Sequence, residues 1–176
     1  MDIIPINNWL ASRERKEYCT LVLLHATAGG SFSGALQALR QRELSYNFII
    51  EKNGVIRKCV PYKRYSFHAG NSYGPREEAR GVSTEQVFKK GVGWIWKAGC
   101  SVNSYSVSIS FVNLNDGLDG YTVEQYTACA ELIDVLIGEL PLEHISTHFA
   151  VSPKRKSDPR GFQVGKVCGP LTRWKC

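Results

Sequence analysis

No apolar run in this 176-residue chain approaches the ~20 residues that a membrane-spanning helix needs, which excludes an integral membrane protein of the helical kind. The opening stretch Met1-Asp2-Ile3-Ile4-Pro5 has no basic segment leading into a long apolar one. No signal peptide is therefore expected, and the chain reads as made in a cytoplasm, free to leave by another route. No cysteines stand at CxxC spacing: Cys19, Cys59, Cys100, Cys129, Cys168 and Cys176 are scattered. That argues against a cysteine zinc site and, without an export signal, favours free, mostly buried thiols over disulfides. Internal repeats, low-complexity tracts, linkers and recognised nucleic-acid motifs are also missing. Histidine is scarce, with four in the chain, so each one carries information.

What is present fits one domain over residues 1–176 with one core: a length of 176 residues and 43% hydrophobic content. The formal net charge of +6 suits an anionic partner such as cell-wall polymer, or serves solubility alone.

Periodicity divides the chain into elements. Cys19–Leu24 is an apolar run of strand length, buried on both faces. Ser33–Arg42 reads as an amphipathic helix with Leu36 and Leu39 on one face. Tyr46–Ile50 alternates as a strand, Asn53-Gly54 signals a hairpin, and Val55–Val60 returns. Pro61 to Val102 reads mostly as loop, with a capping box at Ser83-Thr-Glu-Gln86 starting one short helix. In Ser106–Phe111, serines alternate with Val107, Ile109 and Phe111, giving one small polar face and one apolar face. Thr122 caps a helix to about Gly138, with Tyr126, Cys129, Ile133 and Leu136 at helical spacing. Glu143–Thr147 is a last strand and 155–162 a loop punctuated by Pro159 and Gly161. The order predicts an α/β fold: a mixed central sheet with helices packed on its faces.

Two of the four histidines stand at strand ends, His25 and His148, and Asp158 follows on a Pro-flanked loop. Two histidines and a carboxylate can give zinc three protein ligands and leave the fourth position open. Spacing alone leaves the ordinary alternative, hydrogen-bonded structural histidines, in place.

Three segments bear on that choice. Leu23-Leu-His25-Ala-Thr27-Ala-Gly29 resembles a His-x-Thr-x-Gly zinc-ligand motif after an apolar strand. Ser45-Tyr46-Asn-Phe48-Ile-Ile50 up to Gly54 is similar to a Tyr-His-Phe-x-Ile hairpin, and Phe67-His68-Ala-Gly70 to a Trp-His-Ala-Gly segment. His148 followed by Lys156-Ser-Asp158-Pro159 resembles a second ligand segment, His then Lys-x-Asp-Pro. All belong to the zinc-dependent N-acetylmuramoyl-L-alanine amidases, the family of phage endolysins, muropeptide-recycling amidases and peptidoglycan recognition proteins. The resemblance spans roughly residues 20 to 162 in the family's order.

The resemblance implies one zinc per chain, held by His25, His148 and Asp158. It implies Lys156 as a basic active-site residue, the alternative being a solvated loop with Lys154 and Arg155. Tyr46 would face the metal. His68 and Asn71 would line the substrate groove, with loop packing as the other reading of His68. Thr27 would orient the His25 loop or satisfy turn backbone. Trp94 and Trp96, between Tyr73 and Gly99, would shape the groove or cover the core edge. One departure stands out: Asn103-Ser-Tyr-Ser106-Val-Ser108-Ile-Ser110 aligns with a strand on which many members carry a glutamate where this chain has Ser110. The expected partner is bacterial peptidoglycan or its muropeptides, taken by a monomer with no nucleic-acid partner and no integral membrane association. A phage-type endolysin acting on the host wall is the leading reading. A cytoplasmic recycling amidase, or a catalytically impaired peptidoglycan binder with Ser110 as the lesion, is the alternative.

Overall fold

Six strands build the central sheet of the computed structural model, which describes residues 2–70, 72, 101–153 and 155–168. In chain order the strands are β1 (Ile3–Pro5), β2 (Ser12–Glu14), β3 (Leu21–Ala26), β4 (Phe48–Ile50), β5 (Ile56–Lys58), β6 (Arg64–Ser66), β7 (Ser106–Phe111) and β8 (His144–Thr147). The helices are α1 (Phe32–Gln41), α2 (Val102–Tyr105), α3 (Val123–Glu139), α4 (His148–Val151) and α5 (Gly165–Cys168). The sheet order is β1-β5-β4-β7-β3-β8, and β2 pairs with β6 in a separate two-stranded ribbon. Only the β4–β5 hairpin is antiparallel in the large sheet, so it is mixed, as the element order predicts. Among the described residues no helix is long and apolar enough to cross a membrane.

Every residue of β3 and β7 is buried. Both are interior strands, and both their faces are covered. On one face Val22, Leu24, Val107, Ile109 and Phe111 pack against Ala128, Cys129, Leu132, Ile133 and Leu136 of α3. Each fully buried Leu or Ile there contributes about 1.5–3 kcal/mol, so this face dominates stability. The other face carries Leu21, Leu23 and His25 beside Ser106, Ser108 and Ser110, because residues in register on parallel strands point the same way. This second face holds the site.

The N-terminus of α3 is tied to the ends of two strands. Thr122 and Gln125 form a capping box, with Gln125 N–H donating to the Thr122 hydroxyl at 3.1 Å. The Gln125 amide also donates to the carbonyls of Ile50 and Val112, at 3.2 and 3.1 Å, and Thr122 donates to Lys52 at 2.7 Å. The Asn53-Gly54 turn lies beneath: Gly54 has φ +83° and a Cβ there would come within 3.1 Å of the Glu124 carbonyl oxygen, so glycine is required twice over.

Three strands depart from the sequence reading, and the one-turn helices α2, α4 and α5 were not expected either. β1 and β2 lie in an N-terminal stretch with no clear alternation, and β6 lies in a segment read as loop. Each is three residues long, too short for a period to register. Their partners come from the fold: β1 extends the hairpin's edge beside β5, and Arg64 on β6 donates to Ser12 at 2.9 and 3.0 Å. Cys19, Cys59 and Cys129 are free and buried. The expected capping box at 83–86 lies outside the described residues.

Candidate metal centre

Three parallel strands deliver the site. On β3 and β7, His25 stands opposite Ser110; on β3 and β8, Leu24 stands opposite Thr147, and the chain turns directly into His148 at the start of α4. Both histidines therefore leave the carboxyl ends of adjacent strands, where open α/β sheets present ligands. Asp158 comes from the loop after α4. That loop is pinned by the Phe149 N–H, which donates to the Asp158 carbonyl at 2.8 Å.

The Nδ1 atoms of His25 and His148 each lie 3.1 Å from a carboxylate oxygen of Asp158. The candidate ligand atoms of all three residues lie within 4.8 Å of one another. Ligand atoms of a tetrahedral zinc site with bonds near 2 Å are about 3.3 Å apart, so the donor set and spacing fit one small cation. His25 and His148 are sealed from solvent, at 0% and 3% side-chain exposure, whereas Asp158 retains 13%. Access to the group is thus from the Asp158 side.

Electrostatics follow from this burial. Burial, then the neighbouring His148, pushes His25 down to about 4. Burial also holds His68 well below the usual imidazole range, helped by His25, His148 and Arg15. For Asp158 burial works upward but is outweighed by the hydrogen bonds from His148 and His25, which hold the carboxyl well below its ordinary value. Near neutral pH His25 is a neutral imidazole and Asp158 a carboxylate, the protonation states a metal ligand needs.

The other residues singled out in the sequence fall at different depths. The Tyr46 ring lies 5.0 Å from that of His25. Burial, then the Asp158 charge, raises its phenol well above the usual range, while the Ser110 hydroxyl beside it pulls the other way. Lys156 is exposed on the ligand loop, its N–H on the Ser152 carbonyl at 2.9 Å, and its charge is felt at His25. Thr27 gives its hydroxyl to the Gly29 carbonyl at 3.1 Å and accepts the Asn113 N–H at 3.4 Å, so it serves turn backbone, the second of the two readings. His68 is not on an open groove wall: it is 7% exposed and lies behind His25, Nδ1 to Nε2 at 2.9 Å. Asn71, Trp94 and Trp96 lie outside the described residues.

Residues 15–161 match the family described as N-acetylmuramoyl-L-alanine amidase. The chain belongs to that family. No curated protein matches this amidase sequence. Among solved structures it is similar to the N-acetylmuramoyl-L-alanine amidase LysC from Clostridium intestinale URNW, with 18% identity, TM-score 0.67, and 96% and 95% of the two chains covered. It is similar as well to the Ph2119 endolysin from the Thermus scotoductus MAT2119 bacteriophage, with 14% identity, TM-score 0.62, and 95% and 97% covered. A third is PGRP-SA of Apis mellifera, with 15% identity, TM-score 0.64, and 98% of each chain covered. Identities this low speak for a shared fold, and the family match supports peptidoglycan amidase activity.

Where many amidases have a glutamate, Ser110 is fully buried in this one, and its hydroxyl completes no hydrogen bond of good geometry. The neighbouring serines are committed to structure. Asn47 accepts from Ser66 Oγ and Ser108 N–H at 2.9 and 3.1 Å, and donates to the carbonyls of Val60, Pro61 and Arg64. Sequence reasoning did not identify Asn47 as this hub. The available signal was a strand whose polar face has nothing but small side chains, which calls for a buried partner able to both donate and accept.

Proposed function

We propose that this chain is a zinc-dependent N-acetylmuramoyl-L-alanine amidase, one catalytic domain over residues 1–176, acting as a phage-type endolysin on the host cell wall. The observation that carries this reading is the meeting of His25, His148 and Asp158 at hydrogen-bond distances inside the family-matched segment. A bound zinc supplies Lewis-acid polarisation of the scissile carbonyl and a hydrolytic water acidic enough to lose its proton near neutral pH.

The chain's own residues supply the rest. Lys156, a fixed positive charge on the ligand loop, stabilises the charge that develops on the carbonyl oxygen. Tyr46 keeps its proton and serves as a hydrogen-bond donor beside the same centre, since burial and Asp158 oppose its ionisation. Ser110 takes no proton near neutral pH, so this chain works without the family's carboxylate on β7. The net charge of +6 draws the protein to an anionic wall. The buried serine at that position also favours a second reading, a peptidoglycan binder with little or no catalysis.

The test is digestion of purified sacculi and of soluble anhydro-muropeptides, with identification of the new ends. The proposal expects free L-alanine amino groups from sacculi and no new reducing sugar ends. Strong preference for the soluble substrate reassigns the chain to muropeptide recycling. No new ends from either substrate selects the binder, and new reducing ends would mean a glycosidase.

A further inference from the structure

One short segment holds both histidines of the centre from behind. His148 Nε2 faces the Ala69 carbonyl at 3.4 Å, and His25 Nε2 faces His68 Nδ1 at 2.9 Å. The N–H groups of His68 and Ala69 both donate to Asn103 Oδ1, at 3.3 and 2.8 Å, which anchors the segment to α2. Behind His68 the chain of contacts continues. Its Nε2 lies 3.1 Å from Ser106 Oγ, and that oxygen lies 2.6 Å from the Val102 carbonyl oxygen.

The end of this chain sets its direction. A carbonyl only accepts, so the Ser106 hydroxyl donates to Val102 and its oxygen accepts from His68 Nε2–H. A neutral imidazole carries one ring proton, so His68 Nδ1 is bare and accepts from His25 Nε2–H. With a cation between His25 Nδ1 and Asp158, the three protons of Ser106, His68 and His25 serve the three contacts that remain, and Nδ1 keeps its lone pair for the cation; in the metal-free protein a proton on Nδ1 serves the carboxylate 3.1 Å away instead. The reverse polarity would leave the oxygens of Ser106 and Val102 facing each other at 2.6 Å with no proton between them. With the cation in place, the Ala69 carbonyl accepts from His148 Nε2–H and so favours the same tautomer there.

We propose that His68 is a positioning residue of the metal centre: with Ser106 and the Val102 carbonyl it fixes the ring orientation and tautomer of His25, so that Nδ1 is presented to the cation shared with His148 and Asp158. This rests on the zinc reading above. An outer partner that fixes a ligand's tautomer in this way commonly raises metal affinity. Here the partner is a second neutral imidazole, which orients the ligand without adding negative charge.

The experiment measures zinc affinity of the full chain by competition with a chromophoric chelator, for wild type, His25→Ala, His68→Phe, His68→Asn and Ser106→Ala. Urea unfolding of each metal-free protein checks folding. Asparagine sets its side-chain carbonyl where Nδ1 stood, so it can accept from His25 while filling less of the buried space. His68→Phe is expected to weaken zinc binding roughly 10–100-fold, and His68→Asn to recover most of that. Ser106→Ala weakens it in the same direction by a smaller factor. Isotope-labelled histidine NMR of the zinc-loaded wild type should show His68 protonated at Nε2 and bare at Nδ1. If His68→Asn binds zinc no better than His68→Phe, or His68 carries its proton on Nδ1, the positioning role is overturned and the zinc site stands. If wild type binds zinc no better than His25→Ala, the zinc reading falls and takes this inference with it.

Discussion

With no metal bound, lowering the pH should destabilise this protein in a defined window. His25 is buried beside His148, which depresses its pKa to about 4 from the 6.5 expected in an unfolded chain. Above 6.5 the ring is neutral in both states and contributes no pH dependence. As pH falls through 6.5 the unfolded chain takes up the proton first, and the folded chain follows only near 4. Between those values the unfolded state binds more protons, so stability falls with falling pH, and below about 4 the loss is complete. The interval from 6.5 to about 4, at 1.36 kcal/mol per pH unit, amounts to about 3 kcal/mol. His68, also depressed, adds in the same direction. Asp158 stays charged throughout, so it offsets none of this. At about 2–4 °C per kcal/mol for a domain of this size, Tm should drop by about 6–12 °C across the window. The assay is a thermal melt of chelator-treated protein in buffers from about pH 7.5 to pH 4. His25→Gln, which does not titrate, should lose the His25 share of the slope. A wild-type Tm that stays level or rises on acidification would refute the reasoning.

Three further outcomes are expected. His25→Ala, His148→Ala and Asp158→Ala should each abolish binding of about one zinc per chain, measured by elemental analysis after dialysis, and full occupancy in all three would dismiss the site. Lys156→Ala and Tyr46→Phe should keep zinc yet lose at least ~10²-fold in turnover on sacculi, whereas Ser110→Ala should cost under ~10-fold; equal losses for Ser110→Ala and Lys156→Ala would give that serine a catalytic role. Thr122→Ala, which removes the cap of α3, should cost about 1 kcal/mol in urea unfolding with activity per folded molecule unchanged, and a cost near zero would mean the capping box is not holding the helix.

The long elements were legible because their burial is periodic. Ser106–Phe111 reads as a strand with a serine face and an apolar face, and both faces stand where parity put them. Thr122 caps α3, which runs to Glu139 against an expected end near Gly138. The buried state of the serine face was less legible. Alternation separates the two faces of a strand but does not reveal what covers the polar one, and here Tyr46, Asn47, Ser66 and His68 from distant segments cover it. The same limit explains His68: as a motif residue it suggested a groove wall, while its contacts place it behind His25.

From sequence alone came the central strands, the capped helix and the three residues with metal-ligand chemistry, because apolar periodicity and residue type are local properties. The tertiary structure decided the rest. It brought Asp158 to His25 across 133 positions of sequence at 3.1 Å, aimed both Nδ1 atoms inward, and left Ser110 buried beside Tyr46. Distances, tautomers and proton direction depend on which polar atoms meet when separate strands come into register. No local pattern encodes that meeting; the packing of the sheet does.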